Sequence, residues 1–179
     1  MKTTALFLVI AVIFVIAVFK GGDLFKAKDS TSNVQATAPT KTSAEYLSQI
    51  ESLSLRDYKG EKITAQKADL EAPERLVIHF WASWCAPCVN EVPELMSYAK
   101  KHQDVKFLVV AVDDYQDDIT KFLKSFPDFD SSRYMRVWDG DKKLAKLFDV
   151  DRLPMSVVFE KGHTDPQFYR AVVDWKNLN

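Results

Sequence analysis

The sequence predicts an α/β fold in which a mixed central sheet is flanked by helices and preceded by an N-terminal β-hairpin. Two apolar runs, residues 76–81 and 105–112, are typical of buried strands. A segment with the apolar spacing of a helix follows each of them. Residues 155–160 and 167–173 add two strand-like runs joined by a turn. Strands that alternate with helices place helices on both faces of one sheet, and the last two runs add antiparallel edges.

Residues 1–44 are predicted to lie outside that fold. Residues 5–19 are all apolar and flanked by lysines, which indicates an uncleaved signal anchor that spans a membrane. A cleaved secretory signal is the alternative. The next residues are rich in Ser, Thr, Ala and Lys without a hydrophobic period, as in a flexible linker. The expected domains are an anchor at 1–20, a linker at 21–44 and a folded domain at 45–179.

Each element of the domain has its own signal. Residues 53–55 and 62–64 are extended on either side of an Asp57-Tyr58-Lys59-Gly60 turn, which predicts the hairpin. Pro93 lies inside the first helical pattern, where it removes a backbone N–H and is expected to bend the helix. The predicted order is strand 76–81, a helix from Val89 to Ala99, strand 105–112, helix 117–125, strand 136–138, helix 144–148, and strands 155–160 and 167–173.

Composition excludes several classes of protein. The chain has 179 residues, a net charge of −1 and no long basic run, so nucleic acid is not an expected partner. Hydrophobic residues make up 47%, which supports a packed core. Its two cysteines, Cys85 and Cys88, are too few for a disulfide scaffold. A zinc site needs about four ligands, and no histidine lies at ligand spacing from the pair, so no metal site is predicted.

The segment Trp84-Cys85-Ala86-Pro87-Cys88 lies at the junction of a predicted strand and a predicted helix. Unpaired N–H groups and the dipole at a helix N-terminus favour a thiolate at Cys85, whose pKa is expected below the value of about 8.5 for a free cysteine. Cys88 lies one turn inside and is expected to resolve a mixed disulfide. The spacing favours a reversible redox disulfide over a structural one, and no other cofactor is expected.

Glu91 and His79 are candidates for handling the proton of Cys88. Glu91 lies one helical turn after Cys88, where a carboxylate could accept the thiol proton; an acid stabilised by the helix dipole in the first turn is the alternative. His79 shares a strand face with Val77 and Trp81. A buried imidazole would have a lowered pKa and could accept a proton, but a core histidine with one hydrogen bond is the interpretation we favour.

The block from Phe80 to Leu95 resembles the thioredoxin-fold family, and within it the membrane-anchored TlpA/ResA-like thiol–disulfide oxidoreductases. The similarity covers roughly residues 50–175. Residues 152–159 resemble the loop and strand that carry the family's cis-proline. This resemblance implies that the peptide bond before Pro154 is cis, that the loop faces the disulfide, and that the backbone of Leu153 can pair with a substrate peptide.

The resemblance also implies a function. We expect a membrane-tethered enzyme on the extracytoplasmic (periplasmic or outer) side that reduces protein disulfides through Cys85 and Cys88. A membrane thiol reductant would supply its electrons, and apocytochrome c is one candidate substrate. Trp84 is expected to border the site and to offer apolar contact to substrate. Three alternatives stay open: a disulfide donor working in the reverse direction, a copper-handling redox module, and a binding module in which the pair locks a loop.

The remaining aromatic and charged residues are interpreted as structural. Three tryptophans are predicted to pack in the interior: Trp81, Trp138 and Trp175. Asp113 and Asp114 end a strand and are expected in a solvated loop. The charged run 139–143 is expected at the surface. Where thioredoxins place a buried Asp, this chain has His79.

Overall fold

The structure is a computed structural model that describes residues 41–71 and 73–178. The predicted anchor at 1–20 and most of the predicted linker lie outside the described residues. Within the part that is described, no helix is both long enough and apolar enough to cross a bilayer.

Helix α1 (Ser43–Ser52) begins inside the segment predicted as linker, so the structured domain starts slightly before residue 45. Thr42 caps the helix: its hydroxyl accepts from the backbone of Glu45, and the Glu45 carboxylate accepts from the Thr42 backbone at 2.7 Å. The helix packs through three buried side chains: Tyr46, Leu47 and Ile50.

The predicted hairpin is confirmed. Strands β1 (Leu55–Arg56) and β2 (Lys62–Ile63) pair antiparallel, with Leu55 opposite Ile63. Gly60 adopts a φ of 81° in the turn between them, a conformation that glycine tolerates at little cost. A short helix that was not predicted, α2 (Lys67–Glu71), leads to the central sheet.

The central sheet is mixed, as predicted. It contains five strands: β3 (Arg75–Trp81), β4 (Val105–Ala111), β5 (Tyr134–Trp138), β6 (Met155–Glu160) and β7 (Gln167–Tyr169). Their spatial order is β5-β4-β3-β6-β7. The first three run parallel, while β6 is antiparallel to both β3 and β7. Strand β7 ends at Tyr169 and not at Val173, so the prediction of a longer last strand is wrong.

Helices connect the parallel strands as expected. The described helices of this part are α3 (Ala86–Lys101), α4 (Gln116–Ser125) and α5 (Lys143–Leu147), with a 3₁₀ turn at Pro127–Asp130. Pro87 lies in the first turn of α3, where its missing N–H is not needed, and Pro93 lies inside the same helix. Because α3 starts directly after the carboxyl end of β3, the start of this long helix is held at the edge of the sheet.

Two of the three tryptophans predicted as interior are fully buried. Trp81 is completely inaccessible, and its indole N–H donates to the hydroxyl of Tyr58 at 2.9 Å. Trp175 is also buried. Trp138 is half-buried and packs against the core. Trp81 packs against Phe122 and Phe129, whereas Trp175 packs against Tyr98 of α3 and Phe107 of β4.

Candidate active site

Cys85 and Cys88 form a disulfide at the N-terminus of α3. Cys85 is the N-cap residue, and its sulfur accepts the backbone N–H of Cys88 at 3.3 Å. Cys85 is 6% exposed and Cys88 is completely buried, which confirms the predicted order of exposure. The first sulfur therefore lies at the positive end of the helix dipole, and the second lies one turn inside.

The peptide bond between Leu153 and Pro154 is cis, as predicted. Pro154 is buried immediately before β6, and Leu153 is partly exposed. An open cavity of about 810 Å³ lies beside the disulfide and brings together Trp84, Cys85 and Leu153. The cis-proline loop and Cys85 thus line the same open cavity.

Trp84 is 68% exposed at the rim of this cavity, where the sequence predicted it. The residue before it is anchored to the sheet: the backbone N–H of Ser83 donates to the carboxylate of Asp113 at 3.0 Å, and the Ser83 hydroxyl donates to the same group. The loop that presents Trp84 and Cys85 is therefore held by a buried carboxylate.

The prediction of a solvated loop is wrong for Asp113 and right for Asp114. Asp113 is completely buried, and its carboxylate accepts both the backbone N–H and the hydroxyl of Ser83. Burial raises the pKa of Asp113, and the hydrogen bonds from Ser83 oppose that rise. Asp114 has an exposed side chain that pairs with Lys142 at 2.9 Å.

The surface prediction for residues 139–143 is likewise wrong at its first residue. Asp139 is buried, and its two carboxylate oxygens accept the backbone N–H groups of Leu144 and Ala145 at 3.0 and 2.8 Å. These N–H groups belong to the first turn of α5, which has no acceptors of its own. Asp141 and Lys143 are exposed. Asp139 therefore fixes the helix that borders the cavity opposite the disulfide.

Glu91 is buried behind the cysteine pair. One oxygen, Oε1, accepts from the backbone of Val173 at 2.9 Å and from the indole of Trp175 at 2.6 Å. The other oxygen, Oε2, has no hydrogen-bond partner among the described residues. Burial raises the pKa of Glu91, and the two hydrogen bonds oppose the rise. The first turn of α3 holds no acid, so the helix-dipole alternative is wrong.

His79 is buried on β3, opposite Ser156 of β6. Its Nδ1 is 2.9 Å from the Ser156 hydroxyl, whereas Nε2 has no partner among the described residues. Burial lowers the pKa of His79 to about 3, so the ring is neutral at physiological pH. Its single hydrogen bond matches the core histidine that the sequence favoured, and a role in proton transfer stays a prediction.

Sequence reasoning missed the partners of the two buried titratable groups. Trp175 was expected only to pack, yet it donates to Glu91 across 84 positions of the chain. Ser156 was not singled out at all. No local pattern reports contacts of this range, because they depend on strand register and on the path of the chain after β7.

A disulfide at a helix N-terminus, next to a cis-proline loop and on a mixed five-stranded sheet, defines the thioredoxin-fold class of proteins. The family model for thioredoxin-like proteins matches residues 74–164, about half of the chain. The chain belongs to this thioredoxin-like family.

Two relatives have names that describe an activity. Thiol-disulfide oxidoreductase ResA of Bacillus subtilis is 29% identical over 102 residues, which is 56% of this chain and 53% of that protein. Sporulation thiol-disulfide oxidoreductase A of the same species is 27% identical over 111 residues, which is 57% of this chain and 65% of that protein. The matched region thus spans between half and two thirds of these relatives.

Solved structures confirm the fold. A secreted disulfide oxidoreductase of Mycobacterium tuberculosis superimposes with a TM-score of 0.61 at 20% identity, covering 75% of this chain and 93% of that one. StoA from Bacillus subtilis gives a TM-score of 0.54 at 22% identity, covering 70% and 92%. At this identity the likeness establishes the backbone arrangement.

Proposed function

We propose that this protein is a thiol–disulfide oxidoreductase that exchanges disulfides with protein substrates. The observation that carries the proposal is the Cys85–Cys88 disulfide at the start of α3, next to an open cavity shared with Leu153 of the cis-proline loop. The names of the ResA and sporulation relatives support the same activity.

The reaction starts from the reduced pair. The thiolate of Cys85 attacks one sulfur of a substrate disulfide, forms a mixed disulfide and releases the other substrate sulfur as a thiolate. The thiolate of Cys88 then attacks Cys85 Sγ, which forms the Cys85–Cys88 bond and releases the second substrate sulfur. Two electrons pass from the protein dithiol to the substrate, which leaves as a dithiol.

Cys88 needs a proton acceptor in the second step, because a fully buried thiol ionises at a cost. Glu91 lies one turn further along the same helix and has a raised pKa, and its Oε2 has no hydrogen-bond partner in the described part of the chain. A raised pKa makes the carboxylate a better match for a thiol proton. His79, with a pKa of about 3, is a far weaker base. Glu91 is therefore the proton acceptor in this proposal.

Substrate recognition is assigned to the rim of the cavity. Trp84 offers an exposed aromatic surface beside Cys85, and the backbone of Leu153 can pair with an extended substrate segment. Backbone pairing depends little on sequence, so the protein would accept unfolded or flexible segments that carry a disulfide.

The proposal extends to the compartment in which the protein works, its electron donor and one substrate. The apolar run 5–19 and the resemblance to anchored oxidoreductases support a tether on the extracytoplasmic side, a membrane thiol reductant as electron donor, and apocytochrome c as one substrate. An oxidising compartment requires such a donor, because the oxidised enzyme must be reduced again after each cycle. The reverse direction, disulfide donation, uses the same residues and differs only in reduction potential.

An equilibrium titration of the cysteine pair against dithiothreitol or glutathione tests the direction. A potential more negative than about −200 mV supports a reductase, and a value near about −120 mV supports a disulfide donor. Activity itself is tested by trapping: a Cys88→Ser variant should accumulate mixed disulfides with exported proteins, and Cys85→Ser should accumulate none. Equal trapping by the two variants would contradict the assigned roles.

A further inference from the structure

The segment after β7 contacts the active-site helix around one buried carboxylate. Residues 170–178, here called the tail segment, form no regular helix or strand. Two of its N–H groups, the backbone of Val173 and the indole of Trp175, donate to the same oxygen of Glu91. Lys176 adds an ion pair with Glu94 on the same helix at 2.7 Å. The tail segment therefore meets α3 at the group assigned to proton transfer.

Trp175 is held on three sides by other rings. Its indole lies 6.0 Å from the ring of His79 on β3, 5.5 Å from Tyr98 on α3 and 6.1 Å from Phe107 on β4, measured between centroids. The side chain is 2% exposed. This packing fixes the direction of the indole N–H. The indole is a donor only, so it cannot take up a proton itself and can act on the chemistry only through Glu91.

The two carboxylate oxygens of Glu91 differ in their hydrogen bonds, and this difference suits proton transfer. Oε1 takes both hydrogen bonds, whereas Oε2 has none among the described residues. A carboxylate tied through one oxygen keeps a defined orientation and leaves the other oxygen available. Cys88 lies one turn before Glu91 on the same helix, and both side chains are buried.

We infer that Trp175 is a positioning residue that orients the Glu91 carboxylate and sets how readily it ionises, and thereby the rate at which Cys88 resolves the mixed disulfide. The inference rests on the proposed function, because it takes Cys88 as the resolving thiol. A hydrogen bond from a neutral donor favours the charged carboxylate. Loss of the indole N–H therefore makes Glu91 harder to ionise and leaves it protonated over a wider range of pH.

The charges near Glu91 support the inference that hydrogen bonds to Oε1 control its ionisation. The titratable and charged groups near the Glu91–Trp175 contact are Cys88 and Glu94 on the same helix, His79 and Tyr98 against the indole ring, and Asp174 and Lys176 on either side of Trp175 in the chain. The negative charge of Glu94 raises the pKa of Glu91, and Lys176 pairs with Glu94. The lowered pKa of His79 keeps it neutral, so it adds no charge. The hydrogen bonds to Oε1 are the contacts that favour ionisation of Glu91.

The test compares wild-type protein with Trp175→Phe, which keeps a ring and removes the N–H. A second variant carries 3-benzothienylalanine at position 175, which preserves the bicyclic shape and replaces the N–H with sulfur. Trp138→Phe is the matched control, since Trp138 also donates its indole N–H, to the backbone of Asp113 at 2.9 Å. Far-ultraviolet circular dichroism and cooperative urea unfolding of each oxidised protein show whether the fold is retained.

Two readouts are needed. In the oxidised protein, where no thiol titrates, carbon-13 NMR follows the Glu91 carboxyl, which is assigned by its loss in Glu91→Gln. In the reduced protein, stopped flow with dithiobis-nitrobenzoate follows two releases of thionitrobenzoate. The first accompanies attack by Cys85. The second occurs when Cys88 displaces the label from Cys85 Sγ and forms the disulfide, with the Cys88 proton passing to Glu91.

Both variants at position 175 should raise the titration midpoint of Glu91 by about one pH unit, the size expected for one hydrogen bond to a charged group. The rate of the second release falls toward acidic pH, and the midpoint of this fall should move by the same amount. At a fixed pH in this acidic range, the second release should therefore be about tenfold slower. Trp138→Phe should leave both unchanged. An unshifted Glu91 midpoint, or a shifted midpoint with an unshifted second release, overturns the inference. If wild-type protein releases no thionitrobenzoate at any pH, the proposed function is contradicted. This outcome is seen with wild type alone and is therefore distinct from failure of the inference about Trp175.

Discussion

His79 gives a stability prediction whose size follows from its burial. The folded protein holds the pKa of this ring at about 3, against 6.5 for an ordinary histidine. As the pH falls below 6.5, the unfolded chain takes up a proton that the folded protein refuses, so unfolding becomes more favourable. The difference spans about 3.5 pH units, and at about 1.4 kcal/mol per unit the full penalty is about 5 kcal/mol.

The variant His79→Asn removes the titrating ring and keeps an amide that can hydrogen-bond to Ser156. At neutral pH the variant should be less stable than wild type by about 1–2 kcal/mol, because the smaller side chain leaves space in the core. By a pH of about 4.5, wild type should have lost about 3 kcal/mol relative to the variant, so the order of stability should reverse.

Urea unfolding of the oxidised proteins, repeated from neutral to acidic pH, measures the difference in the free energy of unfolding between wild type and His79→Asn. The raised pKa values of Glu91, Asp113 and Asp139 act in the opposite sense, since their folded forms bind protons more readily, but they are shared by both proteins and cancel in the difference. His163→Asn, at an exposed position, is the control for loss of an imidazole. A stability difference between wild type and His79→Asn that does not change with pH would show that the folded protein does not hold His79 neutral.

Three further predictions concern the site. Glu91→Gln should slow the second release of thionitrobenzoate by about 100-fold, the effect of losing a general base, while Glu94→Gln should change it little; stopped flow at neutral pH measures both. Asp113→Asn should lower the free energy of unfolding by about 1–3 kcal/mol in urea titrations, because one amide cannot replace both acceptor oxygens, whereas Asp114→Asn should stay within about 0.5 kcal/mol. Trp84→Ala should raise KM for reduction of insulin several-fold and leave the reaction with dithiothreitol unchanged; an equal effect on both would remove Trp84 from substrate binding.

The strands and the site helix were predictable because their signals are local. The run at 76–81, apolar except for His79, is typical of a strand buried on both faces, and the structure confirms it as β3. The cysteine spacing and Pro87 mark the start of α3. Helix α1 was missed although Thr42 and Glu45 have the spacing of a capping box, because the surrounding composition is that of a linker.

The buried carboxylates were not predictable from local sequence. Asp113 and Asp139 stand in charged, loop-like surroundings, yet both are buried: Asp113 accepts from Ser83, 30 residues earlier, and Asp139 accepts from Leu144 and Ala145 at the start of α5. The partners of Glu91 lie more than 80 residues away: Val173 at the end of the predicted last strand, and Trp175 just beyond it. Such contacts depend on how separate segments meet, which the pattern of a single segment does not contain.

The pH dependence of the alkylation of Cys85 by iodoacetamide, measured on the Cys88→Ser variant, shows whether this thiol is acidified. The midpoint should lie well below about 8.5, because the sulfur lies at the N-terminus of α3 and accepts a backbone N–H. A midpoint at or above that of a free cysteine would mean that Cys85 is not an activated thiol.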